Sequence, residues 1–285
     1  MVKSALLAAM LAAAAPSHTD AGLQTQLAAM IAQHAGKAAI YAIDLNSGKM
    51  AAVNADTPVP TASVIKLAVL FEALKQVRSG RVHLEDRLTM AKGDQVEGSG
   101  VLTLFDTPLT LTLKDALTMM IVQSDNTATN LVIDHLGLAN IDEGITSLGL
   151  RHTWLYKKVF KPAVQPAPAD QARFGLGKTT AREMGLLMQQ FAVCAFPKPL
   201  CDAALEMLKN QSDRSAIPRY LQEATANKTG ALDEVRNDVA IVYAKNGPIV
   251  ISAFTYANKD RRWSPDNGAQ LLMARMAQTI VRRWQ

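Results

Sequence analysis

Ser63-Val64-Ile65-Lys66 sets an alcohol and an amine three residues apart where an apolar helical pattern begins. Residues i and i+3 share a helix face, so the amine can reach the alcohol. The helix N-terminus favours negative charge there. An unprotonated lysine is a suitable base for a serine that is otherwise a weak nucleophile. Alone the pair is commonplace, a capping serine and a solvated lysine, but Leu67, Val69 and Leu70 follow at once and make a solvated Lys66 uncomfortable. Further on, Ser124-Asp125-Asn126 lies between two helical patterns. A second hydroxyl can relay a proton, and an Asn amide can hold a carbonyl or the Lys66 ammonium; all three residue types also make ordinary helix caps. Lys228-Thr229-Gly230 ends a strand-like run. A cation and a hydroxyl on a strand edge suit a carboxylate, and glycine lets another backbone approach closely. Its plainer reading is a polar strand end turning through glycine.

Elements able to position these groups are legible on either side. Residues 22–35 have helical apolar spacing, and Ala38–Leu45 and Lys49–Asn54 read as strands joined at Asn46-Ser47-Gly48. From Thr61 the period is helical through Leu74, stopping near Ser79-Gly80. Helices follow over Leu113–Gln123, Thr127–Leu136, Asn140–Leu148, Thr180–Ala195 and Cys201–Lys209. Lys157–Lys178 fits neither period and reads as a long surface loop. Ala224–Lys228, Val235–Ala244 and Ile249–Tyr256 are rich in β-branched and aromatic residues, with Asn246-Gly247 as a turn, and Ser264–Arg283 reads as a closing helix. This pattern predicts an α/β fold of the α+β type: one antiparallel five-stranded sheet built from both chain ends and packed by helices, with an all-helical lobe inserted.

Composition narrows the partners. Hydrophobic content of 49% and charged content of 19% are those of an ordinary globular chain, not of a disordered one. A net charge of +5, with only Lys157, Lys158 and Lys161 clustered, argues against nucleic acid as partner. Lys3 followed by the apolar run Ala5–Ala15 reads as a signal peptide ending by about residue 18, too short to span a membrane, for which about 20 residues are needed. Export and a soluble, secreted or periplasmic, monomeric chain are the expectation. Cys194 and Cys201 could close a tight loop as a disulfide or remain as thiols. His18, His34, His83, His135 and His152 have no metal-ligand spacing, and neither a metal nor a cofactor is expected. Gly177-Lys178-Thr179 lacks the preceding strand and the first glycine of a phosphate loop.

Each motif is modest; their ordered combination is not. From about residue 22 to its end the chain resembles the class A serine β-lactamases, among the penicillin-recognising serine enzymes. With residues 1–18 read as leader, the resemblance implies 19–285 as one β-lactamase or transpeptidase-like domain. Its sheet lobe would comprise about 22–60 and 212–285, and its helical lobe about 61–211. It implies Ser63 as the acylated nucleophile, Lys66 as its proton acceptor and Ser124 as the proton relay. Asn126 would hold the substrate amide, Lys228 and Thr229 its carboxylate, with Gly230 at the close approach. The amides of Ser63 and Ala231 would form the oxyanion hole. Arg236 stands one residue from the place of a further carboxylate-binding arginine. The chain departs from the family on the long loop, where a glutamate activates the hydrolytic water. Counting forward lands at Val159, and counting back lands at Gln165; the only acid from Lys157 to Lys178 is Asp170. The implied activity is opening of a β-lactam through an acyl-enzyme, with slow deacylation. The rivals are a DD-carboxypeptidase or transpeptidase acting on peptidoglycan stem peptides, and a β-lactam sensor or sink.

Overall fold

In the computed structural model, which describes residues 17–163 and 168–285, both ends of the chain supply the main sheet. Strands β1 (His18–Thr19), β2 (Lys37–Asp44) and β3 (Lys49–Val53) come from the first part. Strands β4 (Thr225–Leu232), β5 (Val235–Ala244) and β6 (Gly247–Tyr256) come from the last, giving the order β1-β3-β2-β6-β5-β4. The sheet is therefore six-stranded and mixed, not five-stranded and antiparallel as expected. The added strand, β1, runs parallel to β3, with His18 opposite Lys49 and Thr19 opposite Met50. The reason is local: β3 would otherwise be a bare edge, and the His18 and Asp20 amides donate to the Gly48 and Met50 carbonyls at 3.0 and 2.8 Å. Most of the expected leader, residues 1–16, lies outside the described residues.

The β2–β3 turn follows from its residues. The Asp44 carboxylate accepts from the Asn46 and Ser47 amides and the Ser47 hydroxyl, and Gly48 takes φ 73°. Both faces of the sheet are covered, so its strands read as nearly continuous apolar runs. Ile40, Ala42 and Ile251 pack beneath α1 (Ala21–Ala32) and the C-terminal helix Gly268–Trp284. Tyr41, Val239 and Phe254 face the helical part of the molecule.

That part centres on α2 (Lys66–Arg78), whose residues from Lys66 through Leu74 are all buried. Burial of Leu67, Leu70 and Leu74 stabilises by about 1.5–3 kcal/mol each. Around it lie α3 (Leu113–Val122), α4 (Asn126–Leu136), α5 (Leu138–Ser147), α6 (Ala181–Ala192) and α7 (Lys198–Lys209). Cys194 and Cys201 are disulfide-bonded across the turn between α6 and α7, Cα atoms 5.5 Å apart. The long loop carries one helical turn, Gln171–Phe174, and a short strand, Gly177–Thr179. That strand pairs with Val59–Pro60 and Trp154–Leu155 and ties the loop to the segment entering Ser63. Among the described residues no helix is long and apolar enough to cross a membrane.

Candidate active site

Ser63 lies in a 3-10 turn, Ala62–Ile65, that leads into α2. The turn is held from outside. Asn237 of β5 donates to the Pro60 and Thr61 carbonyls at 2.9 and 3.1 Å, and the Thr61 amide donates to Gly177 at 3.0 Å. Ala62 is forced to φ 45°, a conformation L residues seldom adopt, and Ser124 across the cleft to φ 53°. Two such strained residues, one adjoining Ser63 and one in contact with Lys66, are over-determined by their surroundings, as happens at working sites.

Lys66 begins α2 and is fully buried. Its ammonium nitrogen lies 2.6 Å from the Ser124 carbonyl, 3.2 Å from Ser124 Oγ and 3.0 Å from Asn126 Oδ1. Burial holds its pKa well below that of an ordinary lysine; the Lys228 charge pushes the same way, and Asp125 opposes both. Lys228 of β4 reaches Ser124 Oγ from the other side at 3.1 Å and also donates to the Thr229 carbonyl at 2.8 Å. Burial pulls it down to about 8, with Asp238 and Asp213 pulling back. Ser124 Oγ is thus gripped by two lysines whose pKa values burial lowers.

Asp125, between Ser124 and Asn126, acts on the scaffold. One carboxylate oxygen caps α4 through the Ala128 amide at 2.8 Å, and the other accepts from the Val101 and Leu102 amides at 2.7 and 2.9 Å. Gly100, at φ 114°, makes room for it, because a Cβ there would lie 2.1 Å from that oxygen. Asn126 donates to the Glu97 carbonyl at 3.0 Å while accepting from Lys66. The segment 96–102 is thereby folded over the site.

β4 is the free edge of the sheet, and Gly230 sets how near it comes. A Cβ at Gly230 would sit 2.8 Å from the Ser63 amide nitrogen and 3.0 Å from the Thr61 carbonyl oxygen. Only glycine brings Ala231 alongside Ser63, and the two border one cleft of about 500 Å³ with Asn126, Val159, Phe160 and Trp263. Thr229 is half-buried on the same edge.

The remaining candidates are placed elsewhere. Asp170 accepts from Tyr156 Oη at 2.7 Å and from Lys178 Nζ at 2.6 Å, an ion pair that lowers its pKa. It staples the long loop and is not among the residues lining the cleft. Gln165 lies outside the described residues. Val159 borders the cleft, and the Asn130 side chain clamps its backbone, donating to its carbonyl at 3.0 Å and accepting from its amide at 2.8 Å. Arg236, opposite Ala231 in the β4–β5 register, turns its guanidinium onto the carbonyls of Leu232, Val235 and Arg262. Sequence reasoning missed Gly98, Ser99, Leu176 and Trp263 as cleft residues. None belongs to a chemical motif, and Trp263 stands just before the run read as the closing helix.

Such an arrangement can move a proton from Ser63 by way of buried lysines and stabilise charge at backbone amides. Its pH dependence follows from the two lysines. Lowered by burial, Lys66 gives up its proton more readily than an ordinary lysine as pH rises. Above about 8 Lys228 also loses its proton and, with it, the attraction for an anionic substrate. Stopped-flow acylation by a penicillin is expected to fall along a limb near that pH. The limb is expected to vanish in Lys228→Arg, whose side chain stays charged; a limb unchanged in that variant refutes the assignment.

A model of the β-lactamase enzyme family matches residues 22–284. The β-lactamase of Citrobacter koseri is 25% identical, over 86% of this chain and 84% of its own length. The β-lactamase regulatory protein BlaB of Streptomyces cacaoi is 22% identical, over 85% of this chain and 91% of its own. Among solved structures, the β-lactamase of Sphaerobacter thermophilus superposes with a TM-score of 0.79 at 28% identity, covering 92% of this chain and 96% of that one. A single-substitution variant of PBP-A, as its acyl-enzyme complex with penicillin G, superposes with a TM-score of 0.81 at 25% identity, covering 94% and 98%. Class A β-lactamases are also among the fold neighbours at lower identity. With Lys66, at the start of the helix that Ser63 leads into, and Lys228 converging on Ser124, and the family model spanning nearly the whole chain, this protein belongs to the β-lactamase enzyme family and is a serine hydrolase of the β-lactamase type.

Proposed function

We propose that the protein opens β-lactams by acylating Ser63 and releases the product slowly. The observation that carries this reading is a pairing: buried Lys66 and Lys228 both grip Ser124 Oγ, while the described loop residues at the cleft, Val159 among them, include no carboxylate. Neutral Lys66 takes the Ser63 proton, and Ser63 Oγ attacks the lactam carbonyl. The Ser63 and Ala231 amides hold the resulting oxyanion, each donor contributing about 3 kcal/mol. Ser124 passes a proton to the lactam nitrogen, the C–N bond breaks and an ester on Ser63 remains. Lys228 and Thr229 hold the substrate carboxylate, and Asn126 its side-chain amide. Hydrolysis of the ester then needs a base for water. The one carboxylate among the described cleft residues is Asp233, on the β4–β5 turn and within 3.4 Å of the Trp263 indole nitrogen. The acyl-enzyme complex of PBP-A with penicillin G, the same fold, supports the acylation half of this scheme.

The same half-reaction serves a DD-carboxypeptidase or transpeptidase on stem peptides, a reading that Val159 favours equally. A sink or sensor that stays acylated is its limiting case. A monomer is part of the proposal, since the residues given acylation roles all come from one chain. Export through the leader is part of the proposal, and the Cys194–Cys201 bond supports it because disulfides persist in oxidising compartments.

A time course of intact mass after mixing with benzylpenicillin tests the reading. One whole penicillin is expected to add to the protein and to leave far more slowly than it arrived. Neither adduct nor hydrolysis would overturn it, and a D-alanyl-D-alanine peptide cleaved faster than penicillin would favour the peptidase. Lys228→Ala is expected to slow acylation by penicillins roughly 10- to 150-fold, as loss of a charge-assisted bond does. It should act much less on a neutral ester; equal losses would make Lys228 structural.

A further inference from the structure

Three apolar residues of the cleft have been given no role in the acyl-transfer chemistry. Three large apolar side chains border this one cleft and stay exposed: Trp263 at 69%, Phe160 at 57% and Leu232 at 46%. Scattered exposed apolar residues mean little, but several converging on the cleft of a nucleophile mark a surface that a ligand covers. Trp263 is also held. The Arg236 guanidinium lies 4.5 Å from its ring centroid, and Asp233 Oδ1 is 3.4 Å from its indole nitrogen. Arg236 is itself locked, since the carbonyls of Val235 and Arg262 accept from it at 2.8 and 3.0 Å and that of Leu232 accepts as well. It is only 3% exposed, so little of it is left to meet a substrate. A planar guanidinium fixed by three carbonyls offers a flat, charged base on which an indole rests in one orientation.

We propose that Arg236 is a positioning residue that sets Trp263 as an apolar wall of the cleft, so that the site selects substrates whose acyl arm carries an aromatic or bulky apolar group. This deepens the acyl-transfer reading and rests on it. It also separates Arg236 from the carboxylate-binding role that its place in the sequence suggested: the charge faces backbone carbonyls and an indole, and the carboxylate is left to Lys228 and Thr229.

Two penicillins with the same nucleus and carboxylate provide the test: benzylpenicillin, with a phenylacetyl arm, and 6-aminopenicillanic acid, with none. The measurement is the second-order rate of adduct formation on Ser63, by intact mass. The wild type is expected to favour benzylpenicillin, and Trp263→Ala to shrink that preference about tenfold, the scale of one lost aromatic contact. Arg236→Met, which keeps the length but loses the fork and charge, is expected to shrink it similarly. Because both rates come from the same protein sample, a merely weakened fold does not move their ratio. A preference unchanged in Trp263→Ala overturns the proposal. So does an Arg236→Met variant that slows both penicillins equally, which would make Arg236 a reader of the shared carboxylate. Should Arg236→Met fail to fold, Trp263→Ala decides alone. No adduct with either penicillin overturns the acyl-transfer reading itself, whereas adducts formed without preference overturn only the wall.

Discussion

Ser63→Ala is expected to abolish covalent capture of a fluorescent penicillin and to lower the rate of lactam opening by about 10³-fold or more, the scale on which a nucleophile supported by its own base is missed. The expectation rests on geometry rather than on motif alone. Ser63 borders the cleft, its turn is fixed by Asn237 and Gly177, and Gly230 holds the β4 edge against its amide. Alanine fits the same turn, so the variant should fold and melt like the wild type. Lys66→Ala should retain the hydroxyl yet lose about 10²–10⁴-fold in acylation, because the base is gone. It should also alter stability, since the Ser124 carbonyl and the Asn126 amide lose their donor. Full labelling of Ser63→Ala would show that another residue is acylated.

Val159→Glu is expected to turn a burst enzyme into a turnover enzyme. Wild type mixed with a chromogenic β-lactam should release about one equivalent quickly and then proceed slowly, because nothing described at the loop side of the cleft takes a proton from water. General-base assistance contributes about 10²–10⁴-fold, and a carboxylate at position 159 should recover part of it, raising the slow phase at least about tenfold. The backbone there is held by the Asn130 amide whatever side chain it carries, and the side chain already borders the cleft with Ser63. A carboxylate replacing a buried isopropyl group should lower the melting temperature at the same time. An unchanged slow phase in a folded variant would locate the limit on turnover elsewhere. Fast steady turnover of the wild type, without a burst, would show a water-activating base outside this account.

Much of this was legible because it is local. Ser63-x-x-Lys66 depends on helical spacing, and the β2–β3 turn on Asp44 and Gly48. The runs of Val, Ile and Ala in β5 and β6 fit only strands covered on both faces. These are short-range preferences, so the chain of residues 37–53 and 225–256 declared its strands before any packing was known. The mixed sheet was not legible: His18–Thr19 is a strand only because β3, far from it in character, presents a bare edge.

The chemistry of the site divides in the same way. Residue types and order determined that a serine, two lysines and a second hydroxyl were available for acyl transfer, and that the long loop offers Asp170 as its single acid. Tertiary structure decided what each charge faces. Lys66 loses its ordinary pKa because Leu67 through Leu74 bury the helix it begins and Lys228 arrives on a strand from the other end of the chain. Asp170 is spent on Tyr156 and Lys178, and Arg236 on carbonyls and on Trp263. A side chain's identity sets which bonds it can make, but burial and partners come from residues distant in sequence, and those alone determine which bonds it does make.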